Sequence, residues 1–448
     1  MSFPFRSVIF FLAMATVLQN GARADDNWPM FRGPFATGVA AGENFPDHWS
    51  ATENVEWKVD LPGRGWSSPI VWGNRIFLTT AINNGTTPEA KKGLYFKGEQ
   101  HEPPDSEHVW KVICLELESG KLLWEQTAHQ GKPATPLHIK NSYASETPVT
   151  DGERVYAYFG NVGIFCYDLE GQPLWSRLLP PHAMRAGWGT ASSPAIHDGR
   201  LFLVNDNEES SYILALDAVT GKDLWRVERD EQSNWSTPFV WKNVRRTEVV
   251  TAGTKRVRSY DLDGKLLWEL EGMSIITIGT PFAQKDLLYV SSGYVLDLRQ
   301  RPVYAIAAGG EGDITLPANK TSNETIVWCN RTAAPYNPTT LVYGDQMYIL
   351  YDKGLLACYN ALTGEERYGK KRIPNGTAFT ASPWAYGRKI FCLDEYGTTF
   401  VFDAGAEFQP LHVNALAEDD MCLATPAMVG GRLLIRSAVR LYSIRKQN

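Results

Sequence analysis

From about residue 54 onward the chain is written in short runs where apolar and polar residues alternate, such as "GRLFLVNDN" (199–207), "DLLYVSSG" (286–293) and "DQMYILYDKG" (345–354). A period of two sends successive side chains to opposite faces of an extended strand, and the Gly, Asn and Asp clusters between runs supply the turns. No long segment carries the 3.6-residue spacing of a helix, so an all-β fold is predicted.

The strands recur in sets. "ELESGKLLW", "YDLEGQPLW", "ALDAVTGKDLW" and "YDLDGKLLW" each place an aromatic four residues after a glycine: Gly120 and Trp124, Gly171 and Trp175, Gly221 and Trp225, Gly264 and Trp268. Gly364 and Tyr368 make a fifth pair. Glycine supplies the positive φ of a tight hairpin, and the aromatic is expected to pack between neighbouring units. A second mark is a small or hydroxyl residue shortly before a proline that opens a strand run, at Pro69, Pro148, Pro194, Pro238, Pro281, Pro338, Pro383 and Pro426. Five of the seven intervals are 43 to 46 residues, the length of a four-stranded propeller blade, and the other two, 79 and 57, need insertions. "IVWCN" with Trp328 ends the fifth unit after a longer hairpin, and the seventh, with Gln409 at the aromatic offset, is the weakest repeat.

Eight openings with a chain that stops after the third strand of the last unit leave one strand to be found. "NVEWKVD", carrying Trp57, precedes the first opening and has no unit of its own. The expected architecture is therefore an eight-bladed β-propeller of four-stranded antiparallel blades over residues 54–448, closed by the N-terminal strand completing the last blade. Insertions are expected near 81–109 and 309–325, and residues 25–53 should form an arm outside the ring, across one face.

Residues 1–24 combine Arg6, the apolar run "VIFFLAMATVL" and "ARA" before Asp25, the pattern of a cleaved secretory signal. That pattern predicts a periplasmic or extracellular protein. No later run approaches a bilayer span, and the first cysteine, Cys114, stands far from the cleavage point, so neither a transmembrane segment nor a lipid anchor is expected. The whole chain has 44 basic and 50 acidic side chains, a net charge of −6; losing the signal removes Arg6 and Arg23 and leaves −8. Nucleic-acid binding needs the opposite sign. The six scattered cysteines fall mostly inside strand runs, where buried structural thiols are expected and no particular pairing is indicated.

In an antiparallel meander the connection into the inner strand and the one between the second and third strands emerge on the same face. Trp66, Tyr143, Glu146, Arg185, Trp188, Asn234, Trp235, Tyr336 and Asn337 fall in segments entering inner strands, and they are the candidate binding residues of a central-channel face. An aromatic funnel with a few polar groups suits a flat ligand or a partner peptide. The acidic "NDNEES" (205–210) lacks the glycine and terminal glutamate of a calcium loop, and the eight histidines show no paired metal spacing, so no metal site is expected. No nucleophile elbow, phosphate loop or dinucleotide fingerprint is present, and no catalytic residue is assigned.

On the hairpin "ALDAVTGKDLW" and the "SSP" openings, the chain resembles the pyrroloquinoline-quinone (PQQ)-like repeat family over residues 54–444. The resemblance implies one of two activities. Quinoprotein dehydrogenases of the family hold PQQ and calcium on the axis and oxidise an alcohol or sugar; on that branch Glu146 and Asn234 would be the calcium ligands and Asp230 the catalytic aspartate. Those enzymes commonly stack the quinone against a ring formed by two adjacent cysteines, and no two cysteines here are neighbours. The other branch, which includes the propeller subunit of the outer-membrane β-barrel assembly machinery, carries the repeat without a cofactor. The preferred expectation is this second branch: a monomeric, non-catalytic scaffold that holds a protein or peptide on the aromatic face, with no cofactor.

Overall fold

The computed structural model describes residues 27–447 apart from 43, 96, 97, 99 and 417–419; the signal-like segment 1–24 lies outside the described residues. The strands form eight sheets arranged as an eight-bladed propeller. In each blade four antiparallel strands run outward from the axis, as in blade three: Ala195–His197, Arg200–Asn205, Ser211–Asp217, Asp223–Arg229. Blade eight supplies Ala427–Val429, Arg432–Arg436 and Arg440–Arg445, and its outermost strand is Val55–Asp60, with Trp57 opposite Ser443. The closure expected from the unpaired "NVEWKVD" is thus observed.

The repeated hairpin has a physical reason. Gly171, Gly221 and Gly264 all have positive φ, and an added Cβ on each would fall within 2.8 Å of Trp124, Trp175 and Trp225 respectively, the tryptophan of the preceding blade. Gly120 meets Trp57 and Gly364 meets Trp328 in the same way. Each of these five indoles also donates its N–H to a carbonyl at the hairpin it covers: Trp57 to Leu117, Trp124 to Leu169, Trp175 to Ala218, Trp225 to Leu262 and Trp328 to Ala361, at 2.8 to 3.1 Å. One residue pair therefore does two things: glycine turns the chain, and its bare Cα receives the neighbour's indole. Trp268 departs from the pattern, because blade five's third and fourth strands are joined by the long 308–325 segment; its indole donates to Glu248 of its own blade. Within that segment Gly312–Asp313 pairs in parallel with Leu266–Glu271, giving blade four a fifth strand.

The residues before the prolines form a second circle. The backbone N–H of Ser68 donates to the Thr147 hydroxyl, Thr147 to Ser193, Ser193 to Thr237, Thr280 to Thr339, Thr339 to Ser382 and Ser382 to Thr425, at 2.9 to 3.1 Å. Each blade contributes one hydroxyl, and each bond joins neighbouring blades. Proline next in sequence keeps the donor residue extended and aims its N–H sideways. This corrects one assignment. In blade six the hydroxyl belongs to Thr339 and the strand Leu341–Tyr343 follows Thr340, so the opening lies two residues beyond Pro338 and Thr340 occupies the proline's place.

The N-terminal arm crosses one face and also reaches into the ring. Trp28 bridges to Val71 of blade one and Val39 to Ala385 of blade seven, both at the inner-strand ends away from the long insertion. Between them Phe31 enters the channel and fully buried Arg32 bonds the carbonyls of Thr340 and Pro383. Phe45 and Trp49 are buried in a core shared by blades seven, eight and one. All six cysteines are free and buried.

Candidate functional site

The arm closes one end of the axis, so the channel is a blind cavity of about 310 Å³ that opens on the face of the long loops. At its bottom lies the hydroxyl circle; all eight members line the cavity and each is at least nine-tenths buried. Above it stand Trp66, Trp188, Trp235, Tyr294 and Tyr336. The Trp188 and Trp235 rings lie 5.8 Å apart at 36°, and Tyr294 meets Tyr336 edge-on at 5.4 Å. Trp66 and Trp235 are fixed by indole bonds to the carbonyls of Lys140 and Gly189, whereas the buried indole N–H of Trp188 has no partner. Buried Asp352 accepts the backbone N–H groups of Tyr336 and Asn337, fixing that wall; desolvation raises its carboxyl to about 6.

Of the nine residues singled out, the structure brings five together at the cavity: Trp66, Trp188, Trp235, Tyr336 and Asn337. The other four lie elsewhere. Tyr143 packs edge-on against His108 and Trp110 and donates its hydroxyl to Thr135, lining small side cavities between blades one and two. Glu146 is sealed behind the wall, where it accepts the Gly160 N–H at 3.2 Å; burial raises its carboxyl to about 7. Arg185 sits in a short 3-10 turn on the rim and bonds the Ile275 carbonyl. Asn234 donates to Asp206, whose carboxylate holds Arg229 through two bonds of 2.8 and 2.9 Å with both side chains out of solvent. Burial alone would lower the Arg229 pKa, but Asp206 outweighs it and the net shift is upward. Asp206 of the acidic loop is thus a guanidinium partner. Its neighbours Glu208 and Glu209 line a separate rim cavity of about 390 Å³ with Glu228, Asp230, Glu231 and Lys255.

The first-blade insertion lies on this face, as its place between second and third strands predicts, but none of its residues was singled out. Its two flanking strands, Arg75–Asn83 and His108–Glu116, extend the blade, and the loop between them brings Gly93, Leu94 and Tyr95 over the mouth. Glu395 of blade seven pins it: one carboxylate oxygen accepts the Gly93 N–H at 2.6 Å and the other the Lys140 ammonium at 2.5 Å, while Lys140 also donates to the Gly93 carbonyl.

An annulus of hydroxyl-linked, tryptophan-clasped blades around a blind aromatic cavity defines a PQQ-like repeat propeller. Within that class, the family described as outer membrane protein assembly factor BamB (PQQ_2) matches residues 160–405, and the chain belongs to it. An outer membrane protein assembly factor BamB from Yersinia pestis is 29% identical over 132 residues, a stretch spanning 29% of this chain and 30% of that protein. Two solved structures are similar in shape. BamB from Moraxella catarrhalis has a TM-score of 0.54 at 14% identity, covering 80% of this chain and 98% of that one. Quinohemoprotein alcohol dehydrogenase from Comamonas testosteroni has a TM-score of 0.60 at 10% identity, covering 95% and 81%. At such identities the likeness speaks for the fold, which hosts both binding and redox proteins.

Proposed function

We propose that the protein is an exported, non-catalytic scaffold of the cell envelope that serves outer-membrane protein assembly by holding a protein partner on its loop-bearing face. The family match over residues 160–405 carries this reading. Export rests on the signal-like pattern of residues 1–24.

The chemistry of the cavity supports a scaffold over the dehydrogenase branch. A quinone working with a divalent cation needs carboxylate or amide oxygens converging on that cation. No aspartate or glutamate is among the described residues lining the cavity, and of its two asparagines Asn141 already accepts from the Ser142 N–H and the Ser145 hydroxyl, which leaves Asn337 as a single amide oxygen. Glu146 and Asn234 face away from it with their own partners, and Asp230 is paired with Arg256 and Arg258 on the rim. The residues present do not fit a calcium–quinone pair. The apolar, aromatic character of the mouth instead suits protein recognition, where buried tryptophan and tyrosine supply most of the affinity.

The test is genetic and biochemical together. A strain lacking the protein should lose outer-membrane β-barrel content, and wild type should restore it. A variant with both Trp188→Ala and Arg185→Ala should fold but fail to restore it. Restoration by that variant would refute the face assignment. Calcium-dependent dye reduction with PQQ and an alcohol or sugar would refute the non-catalytic reading itself.

A further inference from the structure

The hydroxyl circle does more than join blades. In the six observed links the hydroxyl oxygen accepts a neighbour's N–H, yet none of the eight hydroxyls donates its own proton to another described protein group. The bottom of the cavity therefore presents a ring of O–H donors that are buried and lack protein acceptors. Buried donors favour an acceptor, and a charged one most.

Two further groups set the sign of that acceptor. Arg32 lies beneath the circle, its guanidinium bonded to the carbonyls of Thr340 and Pro383, each one residue past a circle member. Arg436 of blade eight bonds the carbonyl and hydroxyl of Ser67, one residue before Ser68, and its Nε–H is buried without a partner. Both side chains are fully buried, and every observed acceptor of each is a carbonyl or a hydroxyl. Burial pulls both pKa values down to about 9, still on the charged side of neutrality. No observed bond joins either arginine to a described carboxylate; Glu395 is matched by Lys140, Asp352 is held behind the wall by two N–H groups, and Asp420 accepts from Ser437. Arg32 therefore makes the closed end of the axis electropositive, Arg436 adds its charge between blades eight and one at the level of Ser67, and the open end is aromatic.

A blind cavity takes an end of a chain and not a segment passing through. Donors and positive charge at the bottom select the carboxylate end over the ammonium end, and the collar of Trp188, Trp235, Tyr294 and Tyr336 selects a flat or large apolar last side chain. The volume of about 310 Å³ is at the small limit of ligand pockets, enough for about one large residue. We propose that the axial cavity captures the C-terminal residue of a partner polypeptide, an aromatic one, with its carboxylate in the hydroxyl circle and its side chain in the aromatic collar. This deepens the scaffold reading by naming what the loop-bearing face recognises.

The experiment titrates the purified protein with acetyl-Gly-Ser-Gly-Phe bearing a free carboxylate, its C-terminal amide, the same peptide ending in Ala, and N-acetyl-phenylalanine, read by tryptophan fluorescence and calorimetry. The free-acid Phe peptide should bind at least tenfold more tightly than the amide or the Ala peptide. Trp188→Ala, a partly exposed residue outside the hydroxyl circle, should weaken it at least fivefold while the melting temperature holds. Equal binding of acid and amide, or no binding of either, overturns the proposal. N-acetyl-phenylalanine binding as tightly as the peptide assigns the cavity to a free aromatic acid and overturns the partner-terminus assignment. Failure here with β-barrel content still dependent on Trp188 and Arg185 removes the terminus and leaves the scaffold reading; loss of both removes the scaffold reading as well.

Discussion

Replacing Gly221 with alanine tests the hairpin clasp, and Gly199 provides a matched control. Both glycines have φ of +69°, so alanine at either pays the same backbone strain, about 1 kcal/mol. Around Gly199 nothing lies within 4 Å of the added Cβ, whereas at Gly221 that atom would lie 2.5 Å from Cε3 of Trp175. Carbon atoms rest about 3.5 Å apart or more, so the indole must retreat by roughly 1 Å. That retreat breaks its 3.1 Å bond to the Ala218 carbonyl, a loss of about 1 kcal/mol, and opens part of its packing against the next blade, about another 1 kcal/mol. Gly221→Ala should therefore destabilise by about 3 kcal/mol and Gly199→Ala by about 1. Urea unfolding of the two variants, with Trp175→Ala as a third background, measures this. In that background Gly221→Ala should cost only the backbone strain, leaving a coupling of about 2 kcal/mol. Equal costs for the two glycines, or no coupling to Trp175, would show that the repeated glycine serves the turn alone.

Three other expectations follow from buried charge. Asp206→Ala leaves Arg229 without its carboxylate inside blade three and should cost about 3 to 5 kcal/mol in urea unfolding. Glu146, whose carboxyl is raised from 4.5 to about 7 by burial, binds its proton more tightly folded than unfolded, so stability should fall as pH rises from about 4.5 to 7. Glu146→Gln removes that dependence, so its stability relative to wild type should rise by about 3 kcal/mol between pH 4.5 and 8; a constant difference across that window would contradict the burial argument. Glu395→Gln weakens the hold on both Lys140 and the Gly93 N–H, and limited proteolysis should cut residues 84–107 at least tenfold faster with the propeller intact.

How much of this was legible beforehand depends on whether the governing contact repeats. The blade hairpins were readable because glycine and aromatic sit four residues apart in one strand pair, although the glycine each of these tryptophans covers belongs to the next blade. The SSP-type openings were readable as period marks, but the register in blade six was not, since Pro338 resembles the others and only the position of strand Leu341–Tyr343 shows Thr340 in the proline's place. Trp66, Trp188, Trp235, Tyr336 and Asn337 reached the cavity because the segments entering inner strands converge on the axis by geometry. Glu146 and Asn234 come from the same segments but turn to the Gly160 N–H and Asp206; these entries are irregular and not strand, so no alternation assigns their sides, and adjacent Tyr336 and Asn337 both reach the cavity. The Lys140–Glu395 pair joins blades two and seven through a loop of blade one, and no local pattern encodes it.

The one unit without its aromatic shows that the clasp has a cause. Five outer-strand tryptophans, Trp57, Trp124, Trp175, Trp225 and Trp328, cover the hairpin between the third and fourth strands of the following blade. Blade eight has no such hairpin: its third strand, Arg440–Arg445, pairs with Val55–Asp60, which comes from the other end of the propeller. An indole at the Gln409 offset of blade seven would have no turn to cover. The arm closes that side instead. Asn414 of blade seven's outer strand accepts the backbone N–H of Trp49 and donates to the Asp47 carbonyl, and the Trp49 ring stacks on Phe391 at 6.3 Å. Substituting Asn414 with leucine keeps the volume and deletes both bonds, leaving the Trp49 N–H buried and unpaired, a cost of about 2 to 3 kcal/mol. If ring closure is what exempts blade seven from the clasp, Gln409→Trp in wild type should add no stability, whereas replacing Trp225 with glutamine, the same change in reverse at a hairpin that exists, should cost several kcal/mol.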